Sequence, residues 1–434
     1  MTLVEKLSAK ISSRQAQVGV IGLGYVGLPL AVEFAKAGFT VTGIDVQKSK
    51  VDMVNRGESY IQDIPAGTLA ALVKSGKIKA TTDFSVVAQL DTIDICVPTP
   101  LRKTKDPDMS YIVSACQEIA KHFHEGMLVV LESTTYPGTT DELVLPMLER
   151  DNLKVGEDFF LCFSPERVDP GNPKYQTVNI PKVVGGITAA CTTMGALFYA
   201  QALETVVPVS STKVAEMVKL LENTFRMINI GLANEMALMC DRMGINVWEV
   251  IEAAATKPFG FMPFFPGPGL GGHCIPIDPF YLSWKTKQAG IEARFIELAG
   301  YINGQMPHFV VDKVQNALND HTKALKGSHV HILGMAYKKD IDDVRESPAL
   351  DILHLLKQRG AKMTYSDPFV PKIHLEGADI FSEDASAMAK VADCVVITTD
   401  HSNFNYAEVL ANAKLIVDTR NALKGVVSDK IVRL

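Results

Sequence analysis

The sequence predicts an α/β protein: two doubly wound parallel-sheet domains joined by a long central helix and a helical domain. Three observations carry this. Residues 17–208 and 328–434 each alternate short apolar runs with helical patterns, as strands linked by crossover helices do. Residues 211–244 between them hold no proline and one internal glycine, Gly231, and their apolar positions recur at helical spacing. The first apolar run leads directly into a GxGxxG turn and a helix.

In chain order, the strands expected in the first lobe are 18–22, 40–45, 92–97, 127–132 and 159–163, with helices such as 28–37 and 111–122 between them. The central stretch is one long helix, then helices at 246–256 and 291–303, interrupted by a glycine- and proline-rich loop at 258–279. The second lobe places strands at 329–333, 362–366, 393–398 and 414–418. Residues before Gln17 read as a short amphipathic helix. The chain divides into 1–210, 211–305 and 306–434, in keeping with about three domains for 434 residues. A long helix between two lobes offers a subunit interface, so a homodimer or higher homo-oligomer is expected.

Composition narrows the function. Apolar residues make up 47% and charged residues 21%, as in ordinary globular proteins. The formal charge of −6 argues against nucleic-acid and anionic-membrane surfaces, which call for positive faces. No apolar run is long enough to span a bilayer, and residues 1–16 lack the apolar stretch of a secretory signal. The seven cysteines contain no CxxC pair and no short metal-ligand spacing, so a reduced, cytoplasmic chain without a metal site is expected.

The GxGxxG run is Gly22-Leu23-Gly24-Tyr25-Val26-Gly27. Gly22 makes the turn, Gly24 lets a pyrophosphate approach the backbone, and Gly27 lets helix and strand pack closely. The helix N-terminus offers unpaired N–H groups to phosphate. Asp45 ends the second strand and accepts from a ribose 2′-OH, which favours NAD over NADP, although Lys48 and Lys50 follow it. This makes the first domain Rossmann-like. Three further strand ends line the same sheet edge: Cys96-Val97-Pro98-Thr99-Pro100, the 132–138 segment with Thr134, and Ser164-Pro165-Glu166-Arg167.

The most unusual segment is the loop 267–279, with four glycines and several prolines around His273, Cys274 and Asp278. Such a loop exposes backbone and can wrap a ligand, and it marks Cys274 as the thiol placed for nucleophilic work. On the long helix, Glu216, Lys219, Asn223 and Arg226 share one face, read as facing a polar cavity. In the second lobe, Gly334 opens a charged loop with Lys338 and Arg345 that ends in Ser347-Pro348 as N-cap and first helical residue. This edge reads as a second nucleotide site without GxGxxG.

Taken together, GLGYVGLPLA, CVPTP, ESTTYPGTT, SPER, AEMVKLLEN, GPGLGGHCIPIDP and AYKKDIDDVRESPA, in this order, resemble the UDP-glucose/GDP-mannose dehydrogenase family over nearly the whole chain. The cysteine loop looks closest to the branch acting on UDP-N-acetylhexosamines, and within it to the enzymes for UDP-N-acetyl-D-glucosamine. The UDP-glucose branch typically has lysine at the place of Ile277, and the UDP-N-acetylmannosamine enzymes usually differ around Pro276. The resemblance implies an NAD-binding lobe, a dimerising helical centre and a UDP-binding lobe. It also implies a four-electron oxidation with two NAD in turn, for a surface-polysaccharide precursor.

Carried over by position, the resemblance makes Cys274 the nucleophile, while Lys219 and Asn223 stabilise the oxyanion. Asp278 assists a water held by Thr134, and Glu166 serves thioester hydrolysis. Cofactor contacts fall on Gly22, Gly24, Tyr25, Val26, Gly27, Asp45, Pro98, Thr99, Thr134 and Arg345. Sugar-nucleotide contacts fall on Glu166, Arg167, Lys219, Asn223, Arg226, Gly269, Gly271, His273 and Lys338. The same chemistry on UDP-N-acetylgalactosamine, UDP-N-acetylmannosamine or UDP-glucose is the nearest alternative. A two-electron hydroxyacid dehydrogenase and a non-enzymatic NAD-binding regulator are the more distant ones.

Overall fold

A computed structural model describes residues 2–61, 64–102, 106–149, 153–169, 172 and 174–434. The chain packs as two compact units, 1–222 with 284–290, and 223–283 with 291–434.

The first unit opens with α1 (Leu3–Ser12). Thr2 and Glu5 cap it reciprocally, and Leu7 and Ile11 point into the core, so the expected amphipathic helix is present. There follow β1 (Gln17–Ile21), α2 (Gly27–Lys36), β2 (Thr40–Ile44), α3 (Lys48–Asn55), α4 (Ala66–Lys74) and β3 (Ile78–Thr81). Next come β4 (Thr92–Ile95), α5 (Ser110–His122), β5 (Leu128–Leu131), α6 (Leu145–Leu148) and β6 (Phe160–Phe163). Then β7 (Lys182–Gly186), α7 (Ala189–Tyr199) and β8 (Val206–Val209) lead into α8 (Thr212–Met243).

The eight strands lie in the order β3-β2-β1-β4-β5-β6-β7-β8. All neighbours are parallel except β6 and β7. Both faces of the sheet are covered, which is why its strands read as unbroken apolar runs. The two-residue period divides them. Leu128 and Val130 join one core cluster with Val18, Val20 and Val41, while Val129 and Leu131 join the other with Ile93 and Ile95. The chain leaves β1 on both sides, toward β2 and β4, so the strand order reverses there. The carboxyl ends of β1 and β4 flank that switch point, where open α/β sheets bind ligands.

The second unit contains the rest of α8, α9 (Val247–Ala254), the start of α10 (Asp278–Gln288), and α11 (Arg294–Asp320). Its sheet is built from β9 (His329–Leu333), α12 (Pro348–Gln358), β10 (Lys362–Ser366), a hairpin of β11 (Lys372–Leu375) and β12 (Ala378–Phe381), and α13 (Ala385–Val391). It is completed by β13 (Cys394–Ile397), α14 (Tyr406–Asn412), β14 (Ile416–Asp418) and β15 (Ile431–Arg433). Five strands run parallel in the order β10-β9-β13-β14-β15. Among the described residues no helix is long and apolar enough to cross a membrane.

The structure departs from the sequence reading in places. The helix expected at 291–303 continues through Gly304 and Pro307 to Asp320, because its buried residues, Met306, Val310, Val311 and Val314, pack into the second core. That packing outweighs the proline's missing hydrogen bond. Helix α10 begins inside the loop expected to run to Pro279. Strands β3, β7, β8 and β15 and the β11–β12 hairpin are additions, while the first sheet is mostly parallel as expected, with β6 and β7 its antiparallel pair.

Candidate active site

The glycine turn has the geometry its residues predict. Gly22 sits at φ +92°, and a Cβ there would lie 2.4 Å from the Cys96 carbonyl oxygen. A Cβ on Gly27 would lie 1.9 Å from the Gly22 carbonyl oxygen, so α2 packs against the turn only because that atom is missing. Nothing lies within 4 Å of a Cβ on Gly24, which leaves its backbone open to a ligand. Tyr25 is exposed, and Val26 precedes the first helical residue. Asp45, buried at the end of β2, accepts from the N–H groups of Leu23 and Gln47, both at 2.8 Å. Lys50 stands 3.7 Å from it, while Lys48 pairs with Asp52. Gly22, Asp45, Gln47, Lys50, Pro98 and Tyr111 line a cavity of ≈ 380 Å³. Thr99 is buried beside it in sequence. An open Gly24, a closely packed Gly27 and an acid at the second strand end fit a dinucleotide.

The neighbouring strand ends are knitted together. Ser133 Oγ donates to the carbonyls of Ile95 and Val97. Thr134 is buried at the end of β5. Glu216 on α8 departs from the shared polar stripe: it accepts from Gly138 N at 2.5 Å, Thr140 N at 2.9 Å and Thr140 Oγ1 at 2.8 Å. It pins the 132–140 loop, and burial pushes its carboxyl up to about 7. Lys219, one helical turn on, is buried. Arg226 is exposed. Arg167 is engaged within its own unit, forked onto Glu222 at 3.1 and 2.5 Å and onto the Pro181 carbonyl.

Glu166 is buried and held by three donors. One carboxylate oxygen accepts from the N–H groups of Arg167 and Val168, and the other from Lys182 Nζ at 3.1 Å. Lys182 also pairs with Glu132 at 2.6 Å. Tyr199 Oη bridges Glu132 and Asp94. The sequence reading lacked this group. Its only signal is a carboxylate at Asp94 and a lysine at Lys182 inside otherwise apolar strands.

All seven cysteines are among the described residues; six are buried, and Cys274 is exposed. Burial pushes the Cys116 and Cys394 thiols up to about 12, which makes them inert. Cys274 closes the turn that starts α10: its carbonyl accepts from Ile277 N at 3.2 Å and Asp278 N at 2.8 Å. Asp278 is buried, and its carboxylate accepts from Asn223 Nδ2 at 2.7 Å. The structure thus brings Asp278, four residues after Cys274, together with Asn223, 55 residues away on α8.

The loop before the cysteine is seated on the second sheet's first crossover. Gly272, at φ +84°, donates to the Arg345 carbonyl at 2.9 Å, and a Cβ on it would strike the Tyr337 ring at 2.8 Å. A Cβ on Gly271 would lie 2.4 Å from Tyr337 Cβ, and one on Gly269, at φ +142°, 3.0 Å from Pro348. His273 and Lys338 are half-buried. Arg345 holds Asp343 through Nε at 3.0 Å and Nη2 at 2.6 Å.

The NAD-binding domain of the UDP-glucose/GDP-mannose dehydrogenase family matches residues 16–203, its central domain 213–305 and its UDP-binding domain 331–425. The chain belongs to this family. It is therefore an NAD-dependent UDP-sugar dehydrogenase, with its NAD site in the first unit and its UDP-binding domain in the second. It is 38% identical over 406 residues to a UDP-N-acetyl-D-mannosamine dehydrogenase of Escherichia coli, covering 90% of this chain and 94% of that one. It is 35% identical over 415 residues to an NDP-N-acetyl-D-galactosaminuronic acid dehydrogenase of Ralstonia nicotianae, covering 93% and 95%. Its fold matches the solved UDP-D-ManNAc dehydrogenase of Pyrococcus horikoshii with a TM-score of 0.88 at 33% identity, covering 96% and 98%.

Proposed function

We propose that the chain oxidises the C6 hydroxyl of UDP-N-acetyl-D-glucosamine to the carboxylate through a covalent adduct on Cys274, giving a precursor for bacterial surface polysaccharide. The observation that carries this is the exposed thiol in a glycine-shaped loop, beside a buried Asp278 held by Asn223. NAD, when bound, would supply the hydride acceptor, twice per sugar. The turn from Gly22 to Gly27, with Tyr25 and Val26, and Asp45, Pro98, Thr99 and Thr134 would hold it, and Arg345 is also assigned to it.

The residues divide the work. Asp278, with a water positioned by Thr134, takes the C6 hydroxyl proton. Cys274 attacks the aldehyde to give a thiohemiacetal, whose oxyanion Lys219 and Asn223 stabilise. The second oxidation leaves a thioester, which water cleaves with Glu166 as base. Gly269, Gly271, His273, Lys338, Arg167 and Arg226 are assigned to the sugar nucleotide. Residues 1–210 serve NAD, 211–305 dimerisation and substrate, and 306–434 UDP. Phe225, Leu232 and Met239 on α8, with Phe295, Leu298 and Tyr301 on α11, are exposed and apolar in the second unit, which supports a homodimer. That none of the seven cysteines is in a disulfide favours the cytoplasm.

A second reading, the same chemistry on UDP-N-acetyl-D-mannosamine, is favoured by the names of the relatives. The test is NADH formed per sugar, with NAD in excess, on the N-acetylglucosamine, N-acetylgalactosamine, N-acetylmannosamine and glucose nucleotides. Two NADH and a carboxylate on the first support the proposal. Two on another sugar move the substrate, and one NADH with an aldehyde product ends the thioester scheme.

A further inference from the structure

Behind Glu166 runs a buried chain of titratable groups that the oxidation steps do not use. It starts at Lys182, the first residue of β7, whose Nζ lies 3.1 Å from Glu166 and 2.6 Å from Glu132. It continues through Tyr199 on α7, whose hydroxyl bridges Glu132 and Asp94. The Lys182 ammonium stands 5.3 Å from the centre of the Tyr199 ring. Three carboxyls and one tyrosine, drawn from β4, β5, the loop after β6, and α7, thus converge on a single lysine. An apolar side chain at 182 would fill the strand without the desolvation of a charge, so the lysine calls for a reason other than packing.

The protonation pattern supplies one. A tyrosine has one hydrogen to give, and Tyr199 faces two carboxyl oxygens, so a further proton belongs to this pair. Burial, then the Glu132 charge, raises the Asp94 carboxyl well above its ordinary range, which puts that proton at the Asp94 end. Glu166 at the other end behaves oppositely. Burial pushes its carboxyl up, but the Lys182 charge and hydrogen bond, the Arg167 N–H and Lys219 on α8 together bring it below the ordinary value. The other groups facing it are Glu132 on β5 and the Cys96 thiol after β4, which burial raises far out of reach. Protonation is thus confined to one end and negative charge to the other.

We propose that Lys182 is a positioning residue for product release, fixing the Glu166 carboxylate so that it takes the proton of the water that cleaves the thioester. In that step the water oxygen bonds to the thioester carbon, the carbon–sulfur bond breaks, Cys274 leaves as thiolate and the water's proton passes to Glu166. The assignment rests on Glu166 serving hydrolysis, as proposed above.

The experiment follows one turnover on the UDP-sugar that the enzyme oxidises. Intact mass reports the sugar adduct on Cys274, and free uronate reports its release, across pH 3.5 to 9. Glu166→Gln is expected to accumulate adduct at every pH. Lys182→Met is expected to form adduct and to release it with an acid limb moved up by roughly one to three pH units, as loss of a close opposite charge gives. Lys182→Arg is expected to keep the limb near its original place. Since removing one partner of a buried pair endangers folding, Lys182→Met/Glu132→Gln is run beside it. This double variant removes both charges in matched shapes and should show a limb displaced in the same direction but less far, because losing the Glu132 charge partly offsets losing that of Lys182. An unmoved limb in both Lys182→Met variants, with Glu166→Gln trapping adduct, overturns the role of Lys182 alone. Release at the wild-type rate by Glu166→Gln overturns the role of Glu166 and this proposal with it.

Discussion

Asn234 holds the root of the cysteine loop, and its removal has a calculable effect. It is fully buried on α8, donates from Nδ2 to Asn303 Oδ1 at 2.8 Å and accepts at Oδ1 from Gly267 N at 2.9 Å. Asn303 in turn donates to the Met227 carbonyl at 3.2 Å. Asn234→Ala strands the Gly267 N–H and one lone-pair site of Asn303 in a buried setting. Each stranded buried group costs about 1–3 kcal/mol, so the two together take about 2–6 kcal/mol from the second unit. With a urea slope of about 2–3 kcal/mol/M, its midpoint falls by roughly 0.7–3 M. The two tryptophans make the assay specific, since Trp284 lies in the first unit and Trp248 in the second. In a Trp284→Phe background, Trp248 fluorescence reports the second unit alone. Turnover should fall with the loosened loop. A midpoint shift below about 0.3 M, less than 1 kcal/mol at that slope, refutes the reasoning.

Three further outcomes are expected. Gly27→Ala must push the Gly22 carbonyl back by about 1 Å to reach the 3.0 Å that real Cβ contacts keep; calorimetry should show NAD affinity reduced at least ~100-fold, near 3 kcal/mol. The Glu216 carboxyl is raised in the fold, from 4.5 to about 7, so the unfolded chain ionises first, and the first unit loses stability as pH rises from 4.5 to 7. That loss is up to about 3 kcal/mol in thermal or urea melts, and Glu216→Gln should flatten it. Iodoacetamide on the native chain should attach one label, at Cys274, and Cys274→Ala should take none; a second label would show that another thiol is open.

The parts of this fold legible in the sequence are those set by local rules. GxGxxG, Asp45 and the alternating strands follow from backbone sterics and from burial on two faces, which a linear pattern records. The proline-free helix α8 was legible for the same reason. The continuation of α11 through Pro307 was not, because tertiary packing of Met306, Val310 and Val314 decides it. The Asp94–Tyr199–Glu132–Lys182–Glu166 chain was hidden for another reason: its members are separated by up to 105 residues and meet only when five elements assemble. Glu216 shows how a helical stripe misleads. It shares a face with Lys219 and Asn223 by spacing, yet its carboxylate is taken by a loop of the first sheet.

The two sheets also show how one topology yields two different nucleotide sites. In each, an acid ends or follows the strand beside the first one and reaches back to the glycine turn: Asp45 in the first unit, Asp367 in the second. Asp45 accepts two N–H groups, from Leu23 and Gln47, and a carboxylate has about four lone-pair sites. It therefore keeps acceptor capacity toward the adjoining cavity. Asp367 accepts the N–H groups of Met335, Ala336, Phe369 and Val370. It also takes the buried His401 Nε2 at 2.9 Å, with His401 Nδ1 accepting from Asp340 N so that Nε2 carries the proton. Five donors saturate Asp367. In the second sheet the acid at the corresponding place is thus a staple for its own loop, with no lone pair left over for a ribose hydroxyl.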